Sequence, residues 1–304
     1  MPQLPDIIYD VATAVTRGAR DYQEDAIVTD FPIGSELGYA VLADGMGGHA
    51  AGDIASKIIV TEVFSELKLQ SSDPEKFEGR VSEILKDAAL SANECINGHV
   101  RSNPGASGMG ATLVAPVLIR DNLFWISVGD SPLYLFRDGE LRQLNEDHSM
   151  APQIDFMVEH GLIGADVGKN HPDRHCLTSV LIGDDVARID CPEKPLTVRH
   201  GDVLIVASDG LQTLENREIE AILRAGNDMT SEALARTLLE KLEQIDDPDQ
   251  DNATFTVIRI RNSSEEDTSQ GKDVRFFSRA VKADPRNATI VRPRQFRRRK
   301  GKTG

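Results

Sequence analysis

The sequence has few of the features that mark secreted or membrane proteins. Only three of its 304 residues are cysteine, Cys95, Cys176 and Cys191. Widely spaced and odd in number, they fit neither a disulfide framework nor a zinc site, which leaves them as reduced thiols. No run of about eighteen or more apolar residues occurs, so no segment has the length of a membrane-spanning helix. The opening MPQLPDIIYD lacks the basic start and apolar stretch of a secretory signal. With the thiols, this sets the expectation of a cytoplasmic protein. No internal repeat is visible. What is present is ordinary globular composition, 40% hydrophobic and 27% charged, over a length that suits one large domain or two modest ones.

Charge is distributed unevenly. The net is −15, but the stretch from Lys272 to Gly304 holds 12 basic residues and two acids, a net of +10, which leaves the first 271 residues at −25. An acidic body joined to a basic tail suggests two separate jobs. The tail begins in the hydrophilic linker NSSEEDTSQGKD and ends in RPRQFRRRK, a composition that cannot bury a core. The domain boundary is therefore expected near 262, with a folded unit over 1–261 and a linker and basic tail over 262–304.

Within the body, strand patterns fall at 7–17, 38–43, 111–119, 123–128, 132–136, 186–189, 202–208 and 253–260, bounded by Gly and Asp. Arg137-Asp138-Gly139-Glu140 closes a hairpin. Helical spacing appears over 75–101, and helices are expected over roughly 215–225 and 230–244. Residues 147–176 are rich in His, Gly and Asp and read as a surface flap with some helix. Blocks of strands and helices, rather than strict alternation, argue for an α+β fold.

Three apolar runs end alike: AVLAD runs into Asp44-Gly45, WISVG into Asp130-Ser131, and LIVAS into Asp209-Gly210. A fourth carboxylate, Asp251, stands just before the last strand. A carboxylate at the end of a buried strand must be solvated, capped by backbone or bound to a cation, because lone burial is costly. One such Asp-Gly is a turn; three at strand ends, with Asp251, point to a cation site. The ligands are hard oxygens with no His or Cys pair at metal spacing, which selects magnesium, manganese or calcium over zinc or copper.

The segment Arg20-Asp21-Tyr22-Gln23-Glu24-Asp25 resembles the Arg-x-x-Asn-Glu-Asp opening of the metal-dependent, type 2C serine/threonine protein phosphatases. ADGMGGHAAGDIAS (43–56), GMGAT (108–112), GDSPLYLFRDGELRQLNEDHS (129–149), ASDGL (207–211) and Asp251-Asn252-Ala253-Thr254 follow in the order of the bacterial branch, so the resemblance covers residues 10–260. It implies an α-β-β-α sandwich, two central antiparallel sheets flanked by helices. It implies two Mn²⁺ or Mg²⁺ ions and a third, weaker one. By motif position Asp44 bridges the two ions, the Gly45 carbonyl and, directly or through water, Asp25 serve one, Asp209 and Asp251 serve the other, and Asp130 with Asp209 holds the third. Arg20 is the candidate phosphate clamp, since a guanidinium grips two phosphoryl oxygens at once; Glu24 supports the ligands from behind. The implied reaction is hydrolysis of phosphoserine and phosphothreonine by a water held between two ions. Implied partners are phosphoprotein substrates and a cognate kinase or its targets, with a monomeric enzyme and no nucleic acid. Contact of the tail with a membrane stays open, as does docking of the tail on the body.

Three departures stand out. Met46 follows Asp-Gly where many relatives have a proton-donating His, which leaves proton delivery to water at the metals or to His49. Pro132 follows Gly-Asp-Ser where Arg is common, so a surface contact is expected to change. In the flap, His171-Pro172-Asp173-Arg174 fits the family, but Ser179 stands where Arg is usual. The alternative reading is a pseudophosphatase or metal-binding scaffold acting through partners; the intact set Asp25, Asp44, Asp209 and Asp251 speaks against it.

Overall fold

Alternation along the strand-forming runs divides their side chains between two buried faces. In the computed structural model, which describes residues 7–47, 50–262 and 289–291, β3 (Leu37–Ala43) sends Tyr39, Val41 and Ala43 to one cluster and Ala40 and Leu42 to another. Strand β11 (Val203–Ala207) does the same, with Val203, Ile205 and Ala207 on one face and Leu204 and Val206 on the other. A strand covered on both faces has no place for the polar alternation of a half-exposed one, hence the unbroken apolar runs in the sequence.

Among the described residues the strands form two antiparallel sheets and a short ribbon. The first sheet has the order β13 (Thr289–Val291), β1 (Ile7–Thr16), β12 (Ala253–Asn262), β11, β8 (Leu133–Arg137) and β9 (Glu140–Gln143). The second runs β10 (Leu196–Thr197), β7 (Asn122–Val128), β6 (Leu113–Ile119), β3 and β2 (Ala26–Asp30). The ribbon pairs β4 (Gly45–Met46) with β5 (Gly110–Ala111). The hairpin expected at Asp138-Gly139 joins β8 to β9, both residues at positive φ (55° and 88°), as a tight primed turn requires.

Three apolar clusters sit between four layers. One lies between the second sheet and the helices α1 (Ala50–Gln70) and α3 (Val81–Ser102). Another separates the two sheets, with Val114, Leu118, Leu135 and Ile258 at its centre. The last lies between the first sheet and the helices α6 (Asn216–Ala225) and α7 (Ser231–Ile245). This is the expected α-β-β-α sandwich. The flap carries α4 (Ala151–Glu159) and α5 (Ala165–Lys169), and Arg174, beyond α5, forks onto Asp155 of α4 at 2.7 and 3.0 Å. Among the described residues no helix is long and apolar enough to cross a membrane.

The structure corrects several expectations. The helix expected over 75–101 is two, α2 (Pro74–Glu78) and α3, broken at Gly79-Arg80. Helix α1 has no counterpart in the sequence reading. Residues 186–189 form no strand: the Ser179 hydroxyl donates to the Arg188 carbonyl (2.7 Å) and accepts its N–H (2.9 Å), so that backbone is committed to a side chain. Ser179, where Arg is usual, is therefore a buried fastening. Pro132 is likewise buried, its carbonyl accepting the Ala207 N–H at 3.0 Å, so no surface contact depends on it. His49 and most of the tail lie outside the described residues.

Candidate metal centre

The strand-end carboxylates come from both sheets and meet at one edge of the sandwich. Asp44 follows β3 and Asp130 lies two residues past β7, while Asp209 lies two past β11 and Asp251 two before β12. Together with Arg20 and Gly45 they line a cavity of about 310 Å³. Asp25 sits behind this wall, buried, with Oδ2 accepting the Ser208 hydroxyl at 2.8 Å and Oδ1 without a hydrogen-bond partner. A larger cavity, about 370 Å³, opens at the α2–α3 turn around Arg80 and Phe124. Its charges pair along the surface, as Arg80 does with Glu83, and it gathers none of the strand-end acids.

Local packing fixes the Asp44 corner. The Asp44 carbonyl accepts the Thr112 N–H (2.9 Å) and its own N–H donates to the Thr112 hydroxyl (3.1 Å). That hydroxyl in turn meets Ser131, next to Asp130, at 2.7 Å. The Gly45 N–H donates to the Glu24 carbonyl at 3.2 Å, linking the corner to the Arg20–Asp25 segment. A Cβ at Gly45 would lie 2.2 Å from the Gly52 carbonyl oxygen in the first turn of α1, so only glycine fits where that helix presses on the corner.

Electrostatics mark the same residues. Burial, reinforced by Asp209 and Asp251 and opposed by bonds from Ser208 and Thr254, pushes the Asp25 carboxyl up to about 7. Asp44 is raised well above the usual carboxylate range, first by burial and then by Asp25, Asp209, Asp130 and Asp251. Asp130 rises to about 7 through burial, Asp209 and Asp147. Asp209 rises through burial and Asp251, offset by a hydrogen bond with Asp44 and by the nearby His175 and Arg20. Acids that raise one another around an open cavity carry negative charge that the protein itself leaves uncompensated. All-oxygen donors, an orphaned buried Asp25 oxygen and this excess charge fit hard divalent cations. Among the described residues no three acidic or imidazole side chains converge ready-made on one point. Arg20 and Asp251, both lining the cavity, form an ion pair at 2.5 Å.

Sequence reasoning gave no role to four residues that hold the site. Asn252, 4% exposed, accepts the Glu24 N–H at 2.7 Å and donates to the carbonyls of Arg17 and Tyr22, both at 2.9 Å, pinning the segment that carries Arg20. Ser208 secures Asp25, as above. His148 is fully buried: its Nδ1 accepts the Gly129 N–H (3.2 Å), its N–H donates back to the Gly129 carbonyl (3.0 Å), and its carbonyl accepts Thr178. It thereby joins the Asp130 turn to the end of the flap. His175, from the flap, lines the cavity beside Met46 and is the only imidazole to do so among the described residues. Asn252, Ser208 and His148 were visible as members of quoted motifs; His175 follows the His-Pro-x-Arg match directly.

A family model described as protein phosphatase 2C matches residues 17–253. The chain is similar to the serine/threonine protein phosphatase PstP of Mycobacterium tuberculosis, 35% identical over 173 residues that make up 56% of this chain and 31% of that protein. It thus spans about a third of that relative's length. It is also similar to the serine/threonine phosphatase stp of Listeria welshimeri, 31% identical over 194 residues, 64% of this chain and 74% of the other. Among solved structures, the catalytic domain of PstP in complex with two manganese ions superposes with a TM-score of 0.66 at 27% identity, covering 84% of this chain and all of that one.

Proposed function

The chain belongs to the protein phosphatase 2C family, and from that membership we propose that it is a metal-dependent serine/threonine phosphatase of phosphoproteins. The observation that carries the reading is the set of mutually repelling carboxylates, Asp44, Asp130 and Asp209 with Asp25 behind them, around one open cavity. We assign Asp44, the Gly45 carbonyl, Asp25, Asp209 and Asp251 as the groups that would hold two Mn²⁺ or Mg²⁺ ions, with Asp44 shared, Gly45 and Asp25 (directly or through water) serving one and Asp209 and Asp251 the other. Asp130 with Asp209 would hold a third, weaker ion. When bound, such ions would supply an acidified water and stabilise charge on the phosphoryl group.

The protein's own groups do the rest. Arg20 is 54% exposed and its ion pair with Asp251 is 41% exposed on the other side, an interaction worth roughly 1 kcal/mol or less, so the guanidinium exchanges Asp251 for phosphoryl oxygens at little cost. Asn252 keeps the Arg20 segment in register while this happens. His175, with Met46 occupying the position after Asp-Gly, is the residue we assign to donate a proton to the departing serine or threonine oxygen. The catalytic unit is 1–261; phosphoproteins, and a cognate kinase or its targets, are its partners.

Purified full-length protein should release phosphate from a phosphothreonine peptide and from p-nitrophenyl phosphate in manganese and lose both activities in chelator. No turnover across manganese and magnesium titrations of a folded sample would leave the scaffold reading in its place.

A further inference from the structure

The outer edge of β1 is long and apolar. Its ten residues, IIYDVATAVT, carry a single charge, Asp10. An exposed edge of this kind invites pairing with other chains unless it is covered. The opposite edge of the same sheet is β9, only four residues long and bearing Glu140 and Arg142, which needs no cover.

Two elements share the β1 edge. At Asp10 the start of α7 closes over it: the Ser231 hydroxyl donates to the Asp10 carbonyl at 2.6 Å and the Ser231 N–H to the Asp10 carboxylate at 2.8 Å. Further along, β13 pairs antiparallel with it, Val291 opposite Thr13, Ile290 opposite Ala14 and Thr289 opposite Val15. Ile290 is half-buried against the cluster that Ala12 and Ala14 form with α7 residues such as Leu234 and Leu238, while Thr289 and Val291 face solvent. The small alanines on β1 leave the room that Ile290 fills.

The tail's composition suits only this stretch for the task. Thr289-Ile290-Val291 is its one run of three β-branched residues, and Ile290 its one isoleucine in the absence of any leucine. Connectivity favours docking within one chain. Asn262 stands opposite Ile7 and Thr289 opposite Val15, so the 26 intervening residues must travel eight positions along β1, about 27 Å. Fully extended they reach up to about 90 Å. A segment tethered this loosely meets its own edge at millimolar effective concentration, on the order of what a second copy would have to match in solution.

We propose that the outer edge of β1 is a strand-addition site whose occupant is residues 289–291 of the same chain. It roots the following segment, Arg292 to Gly304 with seven basic residues and no acid, on the phosphatase body. Strand β1 runs toward the Arg20 segment and β13 runs the opposite way, so β13 itself points away from the metal cavity. The inference does not depend on the catalytic reading.

Hydrogen exchange of the full chain tests this. The segment 11–16 should exchange slowly in the wild type and about tenfold or more faster in Ile290→Asp. Val291→Pro, whose side chain is exposed, should do the same, while Ile290→Val stays near wild type. All four proteins should sediment as monomers and hydrolyse p-nitrophenyl phosphate within about twofold of one another, the docking strand touching no residue of the cavity. Equal protection of 11–16 in the wild type, Ile290→Asp and Val291→Pro would overturn the proposal. A wild-type dimer that Ile290→Asp dissociates would overturn docking in cis and assign the strand to a second copy.

Discussion

Arg20 spends half its surface in solvent with its guanidinium on Asp251, a poor investment for a structural arginine and a ready position for one that waits for a dianion. Arg20→Ala should raise KM for phosphopeptide about tenfold or more and leave manganese affinity near wild type. Lysine should restore part of the loss, because a point charge lacks the paired contact; unchanged kinetics would make Arg20 structural. His175 makes a different prediction. A serine or threonine oxygen leaves badly without a proton and p-nitrophenolate leaves well, so His175→Gln should slow the phosphothreonine peptide about a hundredfold and p-nitrophenyl phosphate only a few-fold. Equal losses on both substrates would remove the proton-donor role. Arg20 was legible in the sequence because its motif names it. His175 was not, because a flap histidine becomes a site residue only when the loop folds back over the cavity.

The loop from Arg17 to Asp25 has no regular structure, and Asn252 substitutes for it with three hydrogen bonds from one side chain. Asn252→Ala should therefore cost roughly 1–3 kcal/mol of stability, measured by denaturant unfolding, by leaving three part-buried backbone groups without this partner. It should also weaken phosphopeptide handling as Arg20→Ala does; a fall in stability with unchanged KM would separate Asn252 from Arg20. At this scale the strands flanking the site were legible, since both faces of each are buried and the apolar runs stop abruptly at aspartate. Helix α1 was hidden although Ala55, Ile59, Val63 and Leu67 form a fully buried row at four-residue spacing. The β-branched run Ile58-Ile59-Val60-Thr61 inside it has the composition of a strand, and packing against β3 and α3 overrides that preference. The absent strand at 186–189 is the reverse case: its pattern is extended, but Ser179 takes the backbone groups that a neighbouring strand would need. Strand β13 escaped notice because the tail cannot build a core, whereas edge pairing asks only for backbone partners and one isoleucine.

For the whole molecule, the acid cluster ties stability to pH and metal. Asp25 and Asp130, buried among other carboxylates, are raised from 3.8 to about 7 in the folded chain. Folding therefore favours their protonated forms. In chelator, the stability they contribute is fully present below about pH 4 and is lost as pH rises through about 7, a change on the order of a few kcal/mol. Cations compete with those protons, so manganese should stabilise little at pH 5 and strongly at pH 7.5. Melting curves across this range with chelator and with manganese check both signs; a chelated protein whose melting temperature rises between pH 5 and 7 would contradict the electrostatic account. The fold and its charge division between acidic body and basic tail were legible from the chain, but the convergence of acids from two sheets on one edge is a product of topology. The central claim is that these acids hold the ions that perform hydrolysis, and it is tested most directly by phosphate release from a phosphothreonine peptide across a manganese titration in the wild type, Asp44→Asn, Asp209→Asn and Asp130→Asn. Loss of about three or more orders of magnitude at Asp44 and Asp209, with a milder loss at Asp130 that added manganese partly restores, is the predicted result; equal and small losses at all three positions would contradict it.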